Sequence, residues 1–321
     1  MGISRTRRRD ARRIALVTAV AIGGTIGVGA QAAQAQLRVG IGDQKPQMFS
    51  DPRFAELGIQ YVRRVVPWDA LNVTWQRHEL DVWMHAARGA GSQPLIAFGK
   101  SRRAHLASLL PTPARFARTF RKFRRRYPWV RLFTPWNEAN QCGEPTCRHP
   151  RMAALYYNEM RARCPSCTVL AADVLDSPNM VPWLTEFRRF ADGDPQLWGL
   201  HNYFDANRFR ATGTERLLAT VPGEVWFTEV GGLVMRRAPG EKPIGPQSPQ
   251  HAARVTAWLF RLAELSPRIR RLYLYQWNGE RGRNVNWDSG LISPKGRPRP
   301  AFRVLLRELR RLRLIPAPPR G

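Results

Sequence analysis

The sequence predicts an α/β protein folded as a single TIM-type (β/α)8 barrel. Three observations carry that prediction: β-rich runs alternate with helix-patterned stretches from Leu37 onward, eight such runs can be counted, and two of them lead into a glutamate. Alternating βα units specify a parallel sheet, and eight of them can close it on itself.

The strand-like runs are 37–42, 61–66, 93–98, 131–136, 168–173, 197–203, 224–230 and 271–277. Between them, 78–88, 113–126, 151–163, 181–190, 214–218 and 249–265 space their apolar residues at three and four, and 300–312 closes the series. The segment 52–57 after the first strand is short for a helix. No linker rich in Gly, Ser or Pro divides the middle of the chain, so one domain is the economical reading. A doubly wound open sheet is the alternative, but Gly40-Ile41-Gly42-Asp43 does not complete the glycine-rich phosphate turn that usually follows its first strand.

The barrel is expected to occupy 36–321. Ahead of it, Arg5, Arg7, Arg8, Arg9, Arg12 and Arg13 precede an apolar run from Ile14 to Ala30 and then Gln31-Ala32-Ala33-Gln34-Ala35. That is the outline of a signal peptide over 1–35 with cleavage after Ala35, which predicts a secreted or cell-envelope protein. An uncleaved anchor is the competing reading and the one route to a membrane, since no later run approaches spanning length. The paired arginines also leave twin-arginine export open.

Residues 1–35 hold six of the 52 basic residues and one of the 24 acids, so the expected mature chain keeps a net charge of +23. The charge is mostly arginine, concentrated in 115–126 and 303–313, both helical in pattern. A solvated arginine face is the simpler reading; an anionic partner such as an acidic polysaccharide is the functional one. No nucleic-acid-binding signature accompanies the charge, so no nucleic-acid partner is expected. Cys142, Cys147, Cys164 and Cys167 fall close together, which suggests local staples. In an oxidising compartment two disulfides are expected, with nearest-neighbour pairing the simplest, although spacing does not fix the connectivity; a zinc site is the alternative.

Polar residues gather at the C-terminal ends of the strands, where barrel active sites are built. The fourth strand runs into Trp136-Asn137-Glu138 and the seventh into Thr228-Glu229. A carboxylate at the end of an apolar strand is unfavourable without a use, and here there are two. Cleaving a glycosidic bond needs one carboxyl group to protonate the leaving oxygen and a second to attack or stabilise the anomeric carbon. By strict alternation His201 and Tyr203 share a face, as do Tyr273, Tyr275 and Trp277, and Val225, Phe227 and Glu229. If those faces point inward, polar and aromatic side chains surround the glutamates.

Together with Tyr61-Val62-Arg63, Trp68, His201-Asn202-Tyr203, Tyr275-Gln276-Trp277 and the tail from Asp288 to Phe302, these motifs resemble the clan A retaining glycoside hydrolases over nearly the whole mature chain. The resemblance implies Glu138 as acid/base and Glu229 as nucleophile. It also implies a carbohydrate substrate, no cofactor and no metal, with Asn137 on the sugar 2-hydroxyl, Arg63 and Tyr203 orienting Glu229, and Trp277 as the stacking floor. Trp136 and His201 complete the expected substrate site. Ala139 stands where many relatives have proline, and the Cys142–Cys147 loop is an addition, so substrate preference is open. Trp68, Lys100, Asp173 and Asp176 also fall near strand tips and could line the cleft, but none of them is assigned a catalytic role. A carbohydrate-binding barrel without turnover, or one anchored to an anionic wall polymer, is the competing class, and a transglycosylase would use the same residues.

Overall fold

The computed structural model describes residues 36–316 apart from 239, 241, 242 and 281. The expected signal segment 1–35 lies outside the described residues. Strands β1 (Arg38–Gly42), β2 (Tyr61–Pro67), β3 (Gln93–Gly99), β4 (Leu132–Thr134), β5 (Thr168–Val169), β6 (Asp173–Leu175), β7 (Leu197–His201), β8 (Glu224–Val230), β9 (Met235–Arg236), β10 (Ile269–Tyr275) and β11 (Trp287–Asp288) follow in chain order. They are interleaved with helices α1 (Pro52–Glu56), α2 (Thr74–Gly89), α3 (Pro113–Arg126), α4 (Pro150–Arg163), α5 (Met180–Arg188), α6 (Tyr203–Asn207), α7 (Thr212–Thr220), α8 (Pro249–Glu264) and α9 (Pro300–Arg311).

The main sheet is wholly parallel and ordered β5-β4-β3-β2-β1-β10-β8-β7-β6. Its two ends belong to one bent segment. Leu170 N donates to Phe133 O on one side, while Ala171 N donates to Leu197 O and Ala172 O accepts from Gly199 N on the other. The eight-stranded ring therefore closes through 168–175, and the fold is the single TIM barrel that βα alternation predicts. The expected unbroken fifth strand 168–173 is two short pieces, because its residues change hydrogen-bonding partner midway.

Other boundaries shift for physical reasons. The fourth strand ends at Thr134 instead of 136, since Asn137 N turns to bond Phe98 O. The sixth barrel strand ends at His201, and Tyr203 opens α6. The last barrel strand ends at Tyr275, which leaves Trp277 beyond it.

The helices bury the stripes their periodicity specifies. In α3, Phe116, Phe120 and Phe123 face the barrel while Arg118, Arg121 and Arg125 face solvent; Thr112 caps the start through Arg115 N, with Pro113 in the first turn. Among the described helices none is long and apolar enough to cross a membrane. Cys142 is bonded to Cys147 and Cys164 to Cys167, the nearest-neighbour pairing, and no described cysteine is free.

Leu95, Leu132, Leu170, Trp226 and Tyr273 form a separate buried cluster that fills the barrel interior below the C-terminal ends of the strands. Above it the space narrows around Asp173. A Cβ at Gly199 would lie 1.9 Å from Asp173 Oδ1 and 2.7 Å from Thr228 Oγ1. Gly199→Ala is therefore expected to displace Asp173 and destabilise the barrel by about 1–3 kcal/mol. A denaturant midpoint equal to that of the parent protein would show that the interior tolerates the methyl.

Candidate active site

Backbone ties place the first glutamate. Asn137 N bonds Phe98 O at 2.6 Å and Ala139 N bonds Asp173 O at 2.8 Å, so both flanks of Glu138 are pinned to neighbouring strands. Glu138 is left in the left-handed region, with φ 47°. For a residue with a side chain that conformation is strained by about 1–3 kcal/mol, and such strain concentrates at functional positions.

The second glutamate reaches the barrel interior by a different device. Val225 and Phe227 belong to the helix-facing core, so strict alternation would send Glu229 the same way. Between β10 and β8, however, Leu272 is opposite Phe227 and Leu274 is opposite Val230, so β8 carries one extra residue there. The bulge turns Thr228 and Glu229 inward together. Thr228 Oγ1 then donates to Asp173 Oδ1 at 2.8 Å, and Glu229 meets Arg63.

Arg63 is the hub. Its Nη1 donates to Glu229 Oε2 at 2.5 Å, and its Nη2 donates to Asp173 Oδ2 at 2.8 Å and to Asn137 Oδ1 at 2.7 Å. Tyr203 Oη donates to the other oxygen, Glu229 Oε1, at 3.1 Å. Both oxygens of Glu229 are thus engaged. Asn137, its Oδ1 engaged by Arg63, keeps its Nδ2 donor for a ligand. Glu138 is held more lightly, through His201 Nδ1 at 3.1 Å.

Burial alone would raise the pKa of Asp173, but the charge of Arg63 and its contacts with His201 bring it down to about 2. For His201, burial acts downward, yet Asp173, Glu138 and the charge of Glu229 outweigh it and lift the pKa to about 9. Both Nη2 hydrogens of Arg63 are already engaged, so its 3.2 Å approach to His201 Nε2 is a contact, not a hydrogen bond. His201 Nδ1 is placed to donate to Glu138 Oε1, while Nε2 lies 3.7 Å from Asp173 Oδ2. Burial and then the Glu229 charge hold the Tyr203 hydroxyl well above its ordinary range.

Single ligand atoms of Glu138, His201 and Glu229 lie within 4.8 Å of one another, a spacing that could hold a cation. The Arg63 guanidinium against Glu229 opposes that use, because a positive charge already sits beside the coordination space.

Glu138, Glu229, Asn137, Arg63, His201 and Tyr203 converge; the two tryptophans do not. Trp136 is fully buried, stacks on Tyr156 at 5.5 Å and donates from Nε1 to Glu144 at 3.0 Å. Trp277 is fully buried between Phe54 and Phe302, with Nε1 on Asp51. Neither offers a face to a sugar, so both expectations are corrected: each lies past the end of its strand, where the chain has turned into the packing layer. The half-buried aromatic at the end of the last barrel strand is Tyr275, beside Glu229. Trp287, edge-to-face with Tyr203 at 4.9 Å, supplies another. Tyr275 shares the strand face of Tyr273 and Trp277, and it takes the inward position because the strand ends at 275 instead of the expected 277. Trp287 sits in the two-residue strand β11, too short to give a periodic signal.

Of the unassigned strand-tip residues, Asp173 belongs to the Arg63 network and Lys100 lines the cleft. Trp68 is buried under Arg115, and Asp176 accepts from Phe204 N and Asp205 N as a backbone support. Two cavities flank the glutamates. One, of about 760 Å³, includes Asn137 and Lys100; the other, of about 560 Å³, includes Glu138, Tyr203 and Trp287.

Two outcomes follow. At 138, Gly is expected to be more stable than Ala by about 1 kcal/mol, the reverse of the usual order, since Gly accepts positive φ without strain; Ala equal to Gly in thermal unfolding would contradict it. The folded pKa of His201 lies above its ordinary 6.5, so its contribution is complete below 6.5 and is lost as pH rises through about 9. The melting temperature should therefore decline across that window, and the decline should disappear in His201→Gln.

No protein-family model matches the chain, and no curated protein matches it by sequence. Solved structures do match. A GH5_18 protein from Streptomyces cattleya, solved with GlcNAc, gives a TM-score of 0.63 at 17% identity over 89% of this chain and 83% of that one. Xylanase 10B from Thermotoga maritima gives 0.61 at 11% identity over 88% and 97%. A family 39 glycoside hydrolase from Bacteroides cellulosilyticus WH2 gives 0.55 at 16% identity over 84% of this chain but only 62% of its own length. The three-dimensional likeness shows that this chain has the (β/α)8 fold of these glycoside hydrolases.

Proposed function

We propose that the protein is an exported retaining glycosidase that cleaves an O-glycosidic bond of a poly- or oligosaccharide by double displacement. The observation that carries this reading is the pairing of Glu138 and Glu229, with carboxylate oxygens within 4.8 Å and unequal surroundings. So close an approach of one oxygen from each is compatible with the roughly 5–5.5 Å between the carboxyl groups of a retaining pair. The enzymes with the same fold add support.

In this mechanism Glu229, aimed by Arg63 and Tyr203, attacks the anomeric carbon as the bond to the leaving oxygen breaks. Glu138 gives that oxygen its proton, and His201 Nδ1–H steadies the carboxylate that results. Water, deprotonated by Glu138, then attacks the anomeric carbon and releases Glu229. Asn137 Nδ2 is placed to donate to the sugar 2-hydroxyl, and Tyr275 takes the ring-floor role first given to Trp277. The two disulfides and the N-terminal signal pattern favour action outside the cytoplasm.

Glu138→Gln should lose about 10²–10⁴ in rate on alkyl glycosides and far less on aryl glycosides whose leaving group needs no proton. Glu229→Gln should be inactive on both, and an activated 2-fluoro glycoside should label the parent protein on Glu229. Full activity of Glu229→Gln would sink the mechanism, and sugar binding without any turnover by the parent protein would favour a binding barrel.

A further inference from the structure

The larger cavity extends from Asn137 to a charge that the proposed mechanism does not use. Arg64 follows Arg63 on β2 and points to the opposite face, toward α2. It is only 8% exposed, yet it has no carboxylate partner among the described residues; its one hydrogen bond is Nη1 to the Glu79 carbonyl at 3.3 Å. Its guanidinium lies over the Trp83 ring at 5.4 Å. The other cations lining the cavity are neutralised: Lys45 by Glu280, Lys100 by Glu144 and Arg102 by Glu79. Burial pulls the Arg64 pKa down to about 10, so it stays charged at neutral pH.

A second group in the same wall is also unsatisfied. Gln76 on α2 is 3% exposed, lines the cavity, and leaves both Nε2 and Oε1 without a partner. Buried polar groups and buried charges normally find partners, and each exception calls for one. Glu79 and Asp43 act on the Arg64 guanidinium only at longer range, and Glu79 is already paired with Arg102, so a direct negative partner is still lacking. The planar fork of the guanidinium matches the two in-plane oxygens of a carboxylate, while a neutral sugar would leave it without a counter-ion.

We propose that this cavity is a subsite for a uronic acid residue of the glycan, with Arg64 supplying the counter-charge to its carboxylate and Gln76 a polar contact. The inference rests on the glycosidase reading above. The net charge, +23 for the expected mature chain, favours the approach of such an anionic chain.

The test compares the parent protein with Arg64→Gln and Arg64→Lys on two ligand sets. Cellotetraose, xylotetraose and mannotetraose are neutral; a hyaluronan tetrasaccharide, tetramannuronate and glucuronosyl-xylotriose carry uronates. Affinity is read by calorimetry and turnover by product analysis. A uronate ligand should bind about tenfold more tightly than the best neutral one. Arg64→Gln should remove that factor and leave neutral binding unchanged, while Arg64→Lys keeps part of it. Should Arg64→Gln fail to fold, Gln76→Leu carries the same comparison, with a loss of at least threefold expected for uronates alone. Preference for neutral ligands, an undiminished uronate preference in the variants, or no uronate binding would overturn the proposal. Tighter binding of sulfated cellotetraose would overturn the carboxylate assignment. Uronate binding that depends on Arg64 but is never followed by hydrolysis would overturn the glycosidase reading and leave the subsite standing.

Discussion

The active end of this barrel depends on one buried cation. Arg63, 1% exposed, stands between Asp173 from β6 and Glu229 from β8, and it also holds Asn137. Neither carboxylate would be tolerated inside the barrel alone, and removing one partner of such a group typically destabilises by about 3–5 kcal/mol. The same guanidinium therefore holds the strands' inner layer together and aims the proposed nucleophile. Stability and chemistry share an ion network here, and neither can be altered separately.

Around that hub the two glutamates are treated unequally. Glu229 has both oxygens engaged, by Arg63 and Tyr203, whereas Glu138 is touched at one oxygen by His201 and is otherwise turned toward the cleft. A nucleophile needs a fixed line of attack; a group that gives and takes a proton needs an accessible oxygen. The number of bonds each carboxylate already makes agrees with the division of labour proposed for them. The left-handed backbone at Glu138 has the same sense, because it presents the side chain at an angle no regular strand end would give.

Much of this was legible in the sequence, for uneven reasons. The βα alternation needs only local periodicity, which explains why all eight barrel strands were located. The polar strand tips were equally visible, since Asn137, Glu138, His201, Tyr203 and Glu229 break apolar runs. Where a side chain points was not. The alternation that grouped Glu229 with Val225 and Phe227 would have put it outside the barrel, and only an extra residue in β8, a property of pairing with β10, brings it in. Trp136 and Trp277 were misplaced because a chain's turn after its last hydrogen bond depends on neighbouring strands. The burial of Arg64 without a direct ion pair was not legible either, because it depends on α2 packing over it.

The strained conformation at position 138 also bears on what the molecule can become. Replacing Glu138 with glycine would abolish proton transfer while relaxing the backbone, and it would leave Arg63, Asn137, Tyr203 and both cavities in place. The product would be a sugar-binding barrel, sturdier than its parent and without turnover. Loss of the proposed proton donor is thus downhill in stability for this scaffold.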